Sequence, residues 1–250
     1  MNDNFLFFDT ETTDVQSKDI IQLAFVTSDG KEFNEYFKPE QEMSFGAMAI
    51  HHITPEFLED KPPFKSKMMQ DSSSMTLFSE IPLKDYLNDL AKEYIWVAHN
   101  AEFDMDVLKK KGVNIPRYIC TLKVARNMLS EDEGKRDLES YSLQYLRYYL
   151  GLYKKENEKG EIIAHDAMGD VLVLRNLFEF LKNNSSLSTE NMMVISKEPQ
   201  FIRTINFGKY AGYSLEELVK IDREYLEWLV ENANDKKDLV YNVDRVLSLG

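Results

Sequence analysis

The stretch Phe5-Leu6-Phe7-Phe8-Asp9-Thr10-Glu11-Thr12 indicates both how this chain folds and where its chemistry lies. Its four consecutive apolar residues predict a short strand that is buried on both faces, in the middle of a sheet. Because side chains two apart in a strand point to the same side, Asp9 and Glu11 project together from its end. Two buried carboxylates repel each other, and a hard cation such as Mg²⁺ offsets that repulsion. The alternative is a strand that ends in a solvated polar turn, and the rest of the chain must decide between them.

The composition is that of a globular protein. The chain has 250 residues, of which 43% are hydrophobic, enough for one sizeable domain and a small one. The start, Met1-Asn2-Asp3-Asn4, lacks the basic and apolar pattern of a signal peptide. No apolar run approaches the roughly 18 residues of a membrane span, and the lone Cys120 suits a reducing compartment. We therefore expect a cytoplasmic protein that has no membrane contact.

The net charge of -13 opposes non-specific binding of nucleic acid, because phosphate is repelled by an acidic surface. The charge is unevenly distributed, however. Two stretches, 107–130 and 199–215, contain no acidic residue. Their basic residues are Lys109, Lys110, Lys111, Arg117, Lys123 and Arg126 in the first, and Arg203 and Lys209 in the second. We expect these two stretches to be where an acidic protein contacts phosphate.

Hydrophobic periodicity predicts a three-stranded meander followed by alternating helices and strands. The predicted strands are Phe5–Phe8, Ile20–Thr27, Glu32–Phe37, Ile95–Ala98 and Tyr118–Thr121. Predicted helices cover Ile81–Lys92, the residues up to Leu108, those up to Leu129, the region of Leu143 to Leu150, and Ala167–Leu181. This order predicts an α/β protein of the ribonuclease H-like kind, with a mixed β-sheet flanked by helices.

The polar run Asn183-Asn184-Ser185-Ser186 predicts the end of the first domain. We expect a domain over 1–182, a linker over 183–198, and a small C-terminal domain over 199–250 with two short amphipathic helices. The region Lys61–Ser79 is polar and predicts irregular structure, and Lys154–Glu161 predicts a charged loop.

Two further acids lie where they can join the first pair. Asp104 begins the helix that follows strand Ile95–Ala98, near a sheet end, and a helix N-terminus favours a carboxylate. Asp170 shares the inner face of the helix Ala167–Leu181, where an acid needs a partner. An ordinary first-turn acid is the alternative for Asp104.

Together, Asp9, Glu11, Asp104 and Asp170 suit two divalent cations that clamp the attacking and leaving oxygens of a phosphodiester. His165 precedes the last of these acids. An imidazole with an unperturbed pKa of about 6.5 can take a proton from the attacking water near neutral pH.

Three motifs resemble those of the DEDDh (DnaQ-like) 3′→5′ exonucleases, a superfamily that includes the proofreading subunit of bacterial DNA polymerase III. They are Phe8-Asp9-Thr10-Glu11-Thr12, His99-Asn100-Ala101-x-Phe103-Asp104 and His165-x-x-x-x-Asp170. Three other stretches resemble the exodeoxyribonuclease X group and its small C-terminal domain. They are Ala47–Thr54, Ile119–Arg126, and Phe207-Gly208-Lys209-Tyr210 together with Tyr225–Leu229.

The resemblance implies roles for particular residues. The four acids would be ligands of two Mg²⁺ ions, with Mn²⁺ as the alternative, and His165 would be the general base. Thr12 and His51 match positions that touch the terminal nucleotide. Asn100 and Phe103 belong to the same substrate-binding region, where bracing the site is favoured over contact with substrate.

Two positions and one region, Lys61–Ser79, depart from the family pattern. Gln22 stands where relatives often carry an acid, and His52 where many have Gly. In the C-terminal segment, we expect Lys209 to reach phosphate while Tyr210 or Tyr213 offers a face to an unpaired base, the alternative being that the aromatic residues form a small core.

The implied function is metal-dependent hydrolysis at DNA 3′ ends that releases nucleoside 5′-monophosphates, in DNA repair or proofreading. The expected partners are DNA 3′ ends, single-stranded ends foremost, and a DNA polymerase or repair complex. One alternative is an RNA 3′-end trimming enzyme. Another is an accessory subunit that binds DNA ends, which the presence of all four acids and the His disfavours.

Overall fold

The computed structural model describes residues 3–16, 18–70, 79–130, 138–155, 166–200, 202–205, 207–233 and 236–249. They form two compact units, Met1–Ser196 and Lys197–Gly250. The predicted base His165 lies outside the described residues, as do most of the predicted loop Lys154–Glu161 and part of the region Lys61–Ser79. Among the described helices, none combines the length and the apolar character needed to cross a membrane.

A mixed five-stranded sheet forms the centre of the first unit. Its strands are β1 (Phe5–Thr12), β2 (Ile20–Thr27), β3 (Glu32–Tyr36), β4 (Ile95–Ala98) and β5 (Tyr118–Cys120). In the order β3-β2-β1-β4-β5, the first three strands are antiparallel, and β4 and β5 run parallel to β1. The predicted mixed sheet is confirmed. A separate antiparallel pair, Met68–Gln70 with Glu80–Pro82, falls partly in the region predicted to be irregular.

Helices cover both faces of this sheet. They are α1 (Phe45–His51), α2 (Pro55–Leu58), α3 (Leu83–Glu93), α4 (Ala101–Lys110), α5 (Thr121–Ser130), α6 (Leu143–Tyr149), α7 (Ala167–Asn184) and α8 (Thr189–Lys197). Residues of α3 and α4 pack in the core on one face, and residues of α5 to α8 pack in the core on the other.

Strand β1 is buried on both faces, as its sequence predicts. Leu6 and Phe8 belong to the core under α3 and α4, whereas Phe5 and Phe7 belong to the core under α7. The ring of Phe178 on α7 lies 4.8 Å from that of Phe5 and 5.5 Å from that of Phe7, between centroids. Alternation along the strand therefore directs Asp9 and Glu11 to the α7 side.

The predicted linker 183–198 contains helix α8, which packs on the first unit. Met192 is buried in the core under α7, and the Ser196 hydroxyl accepts a hydrogen bond from the backbone N–H of Cys120 on β5 at 2.7 Å. The first unit therefore extends through Ser196, beyond the predicted end at residue 182. The polar run at 183–186 ends helix α7, and does not end the unit, because apolar residues follow it.

The described residues of the second unit form three α-helices where two were predicted: α9 (Leu215–Ile221), α10 (Arg223–Asn232) and α11 (Lys237–Leu249). A capping box of Ser214 and Glu217 begins α9. Apolar residues of the three helices form a core of their own with Ile205. The unit therefore has the separate core that an independent small domain needs.

Candidate active site

Three carboxylates from two elements meet on one side of the sheet. Oxygens of Asp9 and Glu11 on β1 and of Asp170 on α7 all lie within 4.8 Å of one another. The two β1 residues face α7 because they alternate with Thr10, and Asp170 occupies the first turn of α7. The positive end of the helix dipole favours an acid there. This group of three can hold a metal ion.

Asp104 lies beside this group, in the first turn of α4, with only 3% of its surface exposed. Its Oδ1 accepts two hydrogen bonds from Thr10, one from the backbone N–H at 3.1 Å and one from the hydroxyl at 2.6 Å. These bonds fix one oxygen of Asp104 at the end of β1. The structure therefore places the four predicted acids on β1 or beside it. Oxygens of three of them lie within 4.8 Å of one another.

The pKa values of these acids show the cost of placing them together without a cation. Burial and, after it, the charges of Asp104, Glu11 and Asp170 raise the pKa of Asp9 well above its usual value. Burial followed by the charge of Asp170 raises the pKa of Glu11 to about 8. Burial raises the pKa of Asp104 to about 7 even though its bonds to Thr10 oppose the change. The carboxylates fit a divalent cation, whose charge would favour their ionised forms.

A fifth acid, Asp166, is one that sequence reasoning missed. It is the N-cap of α7, and its Oδ2 accepts a hydrogen bond from the backbone N–H of Gly169 at 3.1 Å. Its Oδ1 accepts from the Tyr36 hydroxyl at 3.2 Å, and its charge helps to raise the pKa of Glu11. An Asp directly before an apolar helix is a capping signal, which the sequence does contain.

Gln22 links β2 to the start of α7. This fully buried side chain lies opposite Glu11 in the pairing of β1 with β2. Its Nε2 donates to Asp166 Oδ1 and to Asn34 Oδ1, both at 2.9 Å, and its Oε1 accepts from the Ala167 N–H at 3.4 Å. At a position where relatives are expected to carry an acid, this chain therefore has an amide that donates a hydrogen bond to the acid Asp166.

Helix α6 orients Asp170 from the other side. Gln144 Nε2 donates to Asp170 Oδ1 at 2.6 Å, and Arg147 Nη1 donates to Gln144 Oε1 at 3.1 Å. Arg147 is almost completely buried. This chain of contacts was not predicted from the sequence, because it joins residues on different helices.

The predicted substrate residues of the first unit lie around the same strand end. Thr12 is buried at the end of β1 and its hydroxyl donates to the Asp14 carbonyl at 2.9 Å. His51 is buried at the end of α1, where Nδ1 accepts from the Ile53 N–H at 3.0 Å and burial lowers its pKa. A neutral His51 can therefore present only one ring N–H.

The other two predicted substrate residues have evident structural roles. Asn100 has a left-handed backbone, with φ of 59°, at the start of α4, which Asn tolerates better than most residues. Phe103 packs partly against the core, and the Lys18 ammonium lies 4.6 Å from its ring centroid. Both arrangements brace the helix that carries Asp104, and their substrate contacts stay a prediction.

His99, in the same motif, is held neutral. Its Nε2 lies 2.9 Å from the Tyr141 carbonyl and its Nδ1 lies 3.0 Å from the Thr121 hydroxyl. Because a carbonyl can only accept, Nε2 carries the hydrogen. Burial lowers the pKa of His99 to about 4. Both ring nitrogens are therefore occupied in joining β4 to neighbouring segments.

The predicted basic stretch after Asp104 is not a continuous track. Lys123 is only 5% exposed and pairs with Glu102 at 2.7 Å, and the Arg126 guanidinium lies 4.9 Å from the ring centroid of Tyr141. These two cations stabilise packing in the first unit. Lys109 to Lys111, by contrast, lie at the end of α4 and beyond it.

Lys209 lies in the second unit beside an acid and two rings. Its Nζ is 3.2 Å from Asp222 Oδ2, 4.6 Å from the ring centroid of Tyr210 and 5.4 Å from that of Tyr225. Tyr210 packs partly against the core of the unit, whereas Tyr213 is 43% exposed. The phosphate contact proposed for Lys209 stays a prediction.

Comparison with known proteins gives two family matches. A family described as exonuclease matches residues 6–178, and one described as exodeoxyribonuclease X-like C-terminal matches residues 205–234. Exodeoxyribonuclease 10 of Escherichia coli (strain K12) is 29% identical over 236 residues, which cover 90% of each chain. The DNA polymerase III subunit epsilon of Rickettsia prowazekii (strain Madrid E) is 30% identical over 191 residues, which cover 69% of this chain and 71% of the relative.

Solved structures agree with the fold. Exonuclease X in complex with 5′ overhanging duplex DNA is 26% identical, with a TM-score of 0.51 that covers 77% of this chain and 99% of that one. Escherichia coli exonuclease I in complex with an oligonucleotide is 21% identical, with a TM-score of 0.54, and covers 72% of this chain and 41% of its own. The second likeness concerns the fold alone.

Proposed function

This chain belongs to the exonuclease family, whose match covers residues 6–178, and from that premise we propose that it is a 3′→5′ exodeoxyribonuclease. It would hydrolyse the last phosphodiester bond at a DNA 3′ end and release a nucleoside 5′-monophosphate. The observation that carries the proposal is the group Asp9, Glu11 and Asp170, whose oxygens lie within 4.8 Å of one another on a rigid strand and helix.

We propose Mg²⁺ as the ion, in two copies and with Mn²⁺ as the alternative, because carboxylate oxygens are the ligands that such hard cations prefer. Asp9, Glu11 and Asp170 would hold it, with Asp104 as the fourth ligand. Divalent cations at such a site supply Lewis acidity that activates water and stabilises charge on the phosphate.

The surrounding residues then orient the acids. Thr10 donates a hydrogen bond to one oxygen of Asp104, and Gln144 donates one to an oxygen of Asp170, so both carboxyl groups are held in a fixed orientation. His165 would accept the proton of the attacking water at its imidazole, since the base must titrate near neutral pH. His99 is unsuited to that role because both of its ring nitrogens are engaged.

The similar proteins favour DNA over RNA as substrate. Two of them are named as an exodeoxyribonuclease and a DNA polymerase subunit, and one solved structure holds duplex DNA with a 5′ overhang. The match of residues 205–234 to the exodeoxyribonuclease X-like C-terminal family favours that group over the polymerase subunit. A DNA polymerase or repair complex as partner, and a cytoplasmic location, stay predictions.

Digestion of labelled strands tests the proposal. Single-stranded DNA, duplex DNA and RNA carrying a 5′ label would be incubated with Mg²⁺, with and without a chelator. We expect DNA to shorten progressively from its 3′ end, and neither the chelator-treated sample nor Asp9→Asn to digest it. Digestion of RNA alone would favour the trimming enzyme. Binding of DNA ends without any hydrolysis would favour the accessory subunit.

A further inference from the structure

The first unit carries a second charged site, whose lining includes none of the proposed metal ligands. It is a cavity of about 330 Å³ into which five lysines from four segments converge: Lys38, Lys65, Lys84, Lys110 and Lys111. Two acids, Asp19 and Glu40, also line it. We call this feature the lysine cleft. Its lining has three more positive than negative charges, in a chain whose net charge is -13.

The two acids of the lysine cleft are already paired. Lys111 Nζ lies 2.6 Å from Asp19 Oδ1, and Lys65 Nζ lies 2.5 Å from Glu40 Oε1. Asp19 Oδ2 also accepts a hydrogen bond from the Glu40 N–H. Although burial opposes the change, this bond and the contact with Lys111 lower the pKa of Asp19. The acids therefore anchor two lysines and leave the charge of the other three in excess.

Two of those three lysines, Lys38 and Lys84, are held loosely. Lys38 Nζ donates to the Glu59 carbonyl at 3.2 Å, which is neutral. Lys84 lies 3.7 Å from Asp85, in an exposed pair too long for a hydrogen bond. Lys110 lies 3.7 Å from Asp106 and has a further contact. Exposed pairs of this kind contribute about 0–1 kcal/mol, so an incoming anion can replace them.

The walls of the lysine cleft are preformed. Phe64 is buried and its ring packs at 5.2 Å from that of Phe37, and Ile20 and Pro82 complete the apolar lining. The volume is at the lower end of the range of roughly 300–1,000 Å³ found for ligand sites. A cationic rim over an apolar floor suits a phosphate that carries an organic group.

The lysine cleft is connected to the end of β1 and to α4, which between them carry three of the four predicted acids. Asp19, which lines the cleft, accepts a hydrogen bond at its carbonyl from the N–H of Thr13, the residue after the end of β1. Helix α4 carries Asp104 in its first turn and ends at Lys110. A nucleic-acid strand whose 3′ end is bound at the carboxylates would therefore have the lysine cleft on the same edge of the β-sheet.

We propose that the lysine cleft binds phosphate groups of the nucleic-acid strand away from the nucleotide being removed. This inference rests on the proposed function for its ligand. It helps to account for how an acidic protein holds nucleic acid, since the lysine cleft concentrates positive charge locally. Free phosphate and nucleoside monophosphates carry the same phosphate group as a nucleic-acid strand, and the experiment distinguishes these small ligands from a strand.

The test replaces the three lysines that do not pair with the acids of the lining, as Lys38→Gln, Lys84→Gln and Lys110→Gln. The matched control, Lys92→Gln, Lys154→Gln and Lys197→Gln, removes the same charge from exposed positions outside the lysine cleft. Binding of a fluorescent single strand to the full chain would be measured by anisotropy in chelator, so that no hydrolysis is needed. The midpoint of thermal unfolding would verify that both variants are folded.

We expect the cleft variant to bind the strand about 10–100-fold more weakly near 0.1 M salt. The slope of log affinity against log salt should fall by about 2, because each contact to a single strand contributes roughly 0.7. The control should match the unaltered protein. Equal affinities and slopes for the two variants would overturn the inference.

Calorimetry with inorganic phosphate and with thymidine 5′-monophosphate tests whether the lysine cleft binds a small phosphate compound instead of a strand. Neither should bind measurably if the cleft needs a strand. Binding of a monophosphate that only the cleft variant loses, with strand affinity intact, would overturn the strand assignment. If the unaltered protein binds the strand through the cleft but never hydrolyses it, the proposed function fails while this inference stands.

Discussion

Gln22 Nε2 donates a hydrogen bond to Asp166 Oδ1 at 2.9 Å, which joins a buried strand to the N-cap of the helix that carries Asp170. The same side chain accepts from the Ala167 N–H at 3.4 Å. One amide therefore satisfies both the capping acid and one of the N–H groups that a helix start leaves without an intrahelical partner. Asp170 lies one turn later, on the helix whose start this amide holds.

Replacing Gln22 by Ala should destabilise the protein, because the buried Ala167 N–H and the half-buried Asp166 each lose a hydrogen-bond partner. We expect a loss of about 1–3 kcal/mol in the free energy of unfolding, the usual cost of a buried polar group left without its partner. Chemical denaturation would measure it. Gln16→Ala, at an exposed position, is the control, and an equal effect of the two changes would contradict the anchoring role.

Asp9→Asn should abolish digestion and stabilise the metal-free protein, because it removes one of the mutually repelling carboxylates. We expect the midpoint of unfolding in chelator to rise by roughly 3–8 °C, since 1 kcal/mol shifts a domain of this size by about 2–4 °C. Glu32→Gln, an exposed change of the same charge, should alter neither quantity. Near-normal digestion by Asp9→Asn would refute the metal assignment.

The stability of the metal-free protein should fall as the pH rises from about 4.5 to about 8. An acid whose pKa is raised on folding binds a proton more tightly in the folded state, so its stabilising effect disappears as the pH rises through the folded pKa. Glu11, at about 8, and Asp104, at about 7, define this window. Unfolding midpoints in chelator would measure the fall, and Mg²⁺ should reduce it. A midpoint that rises across this window would contradict the raised values.

His165→Ala should slow the chemical step by roughly 10²–10⁴-fold, the usual contribution of a positioned base. Metal binding should survive, because His165 is not proposed as a ligand. Single-turnover rates and metal calorimetry would test both statements. His52→Asn is the control, because Asn tolerates the left-handed backbone at that exposed position, where φ is 58°. Loss of metal binding in His165→Ala would count against the base role.

Lys209→Gln should weaken binding of a long single strand by a few-fold while leaving hydrolysis of a short substrate unchanged, because it removes one phosphate contact. The matched control is Lys220→Gln, an exposed change on α9. If Lys209 serves only to join Asp222 to the rings of Tyr210 and Tyr225, strand affinity will be unchanged while the second unit unfolds at a lower temperature.

The part of the site on β1 was predictable because it depends on local periodicity. Four apolar residues indicate a buried strand, and alternation alone places Asp9 and Glu11 on one side. The same holds for Asp104 and Asp170, each in the first turn of a helix. Such signals need no knowledge of distant contacts.

The contacts that sequence reasoning missed join residues far apart in the chain. Gln22 and Asp166 are separated by 144 positions, and the lysine cleft collects side chains from segments that have no common pattern. Charge runs proved a poor guide to surfaces, since Lys123 and Arg126 turn inward to Glu102 and Tyr141. Only packing of the elements determines which cations converge.

The bond from the Cys120 N–H to the Ser196 hydroxyl has a consequence for how the chain must be cut or synthesised. Strand β5 lies at the edge of the sheet that the described strands form, and an exposed edge strand offers unpaired backbone groups to other chains. Helix α8 shields that edge. A fragment that ends at residue 182 would keep every proposed catalytic group yet leave β5 uncovered, so we expect it to self-associate. A fragment that ends after Lys197 should stay monomeric, and during synthesis the sheet edge stays open to aggregation until the ribosome has released α8.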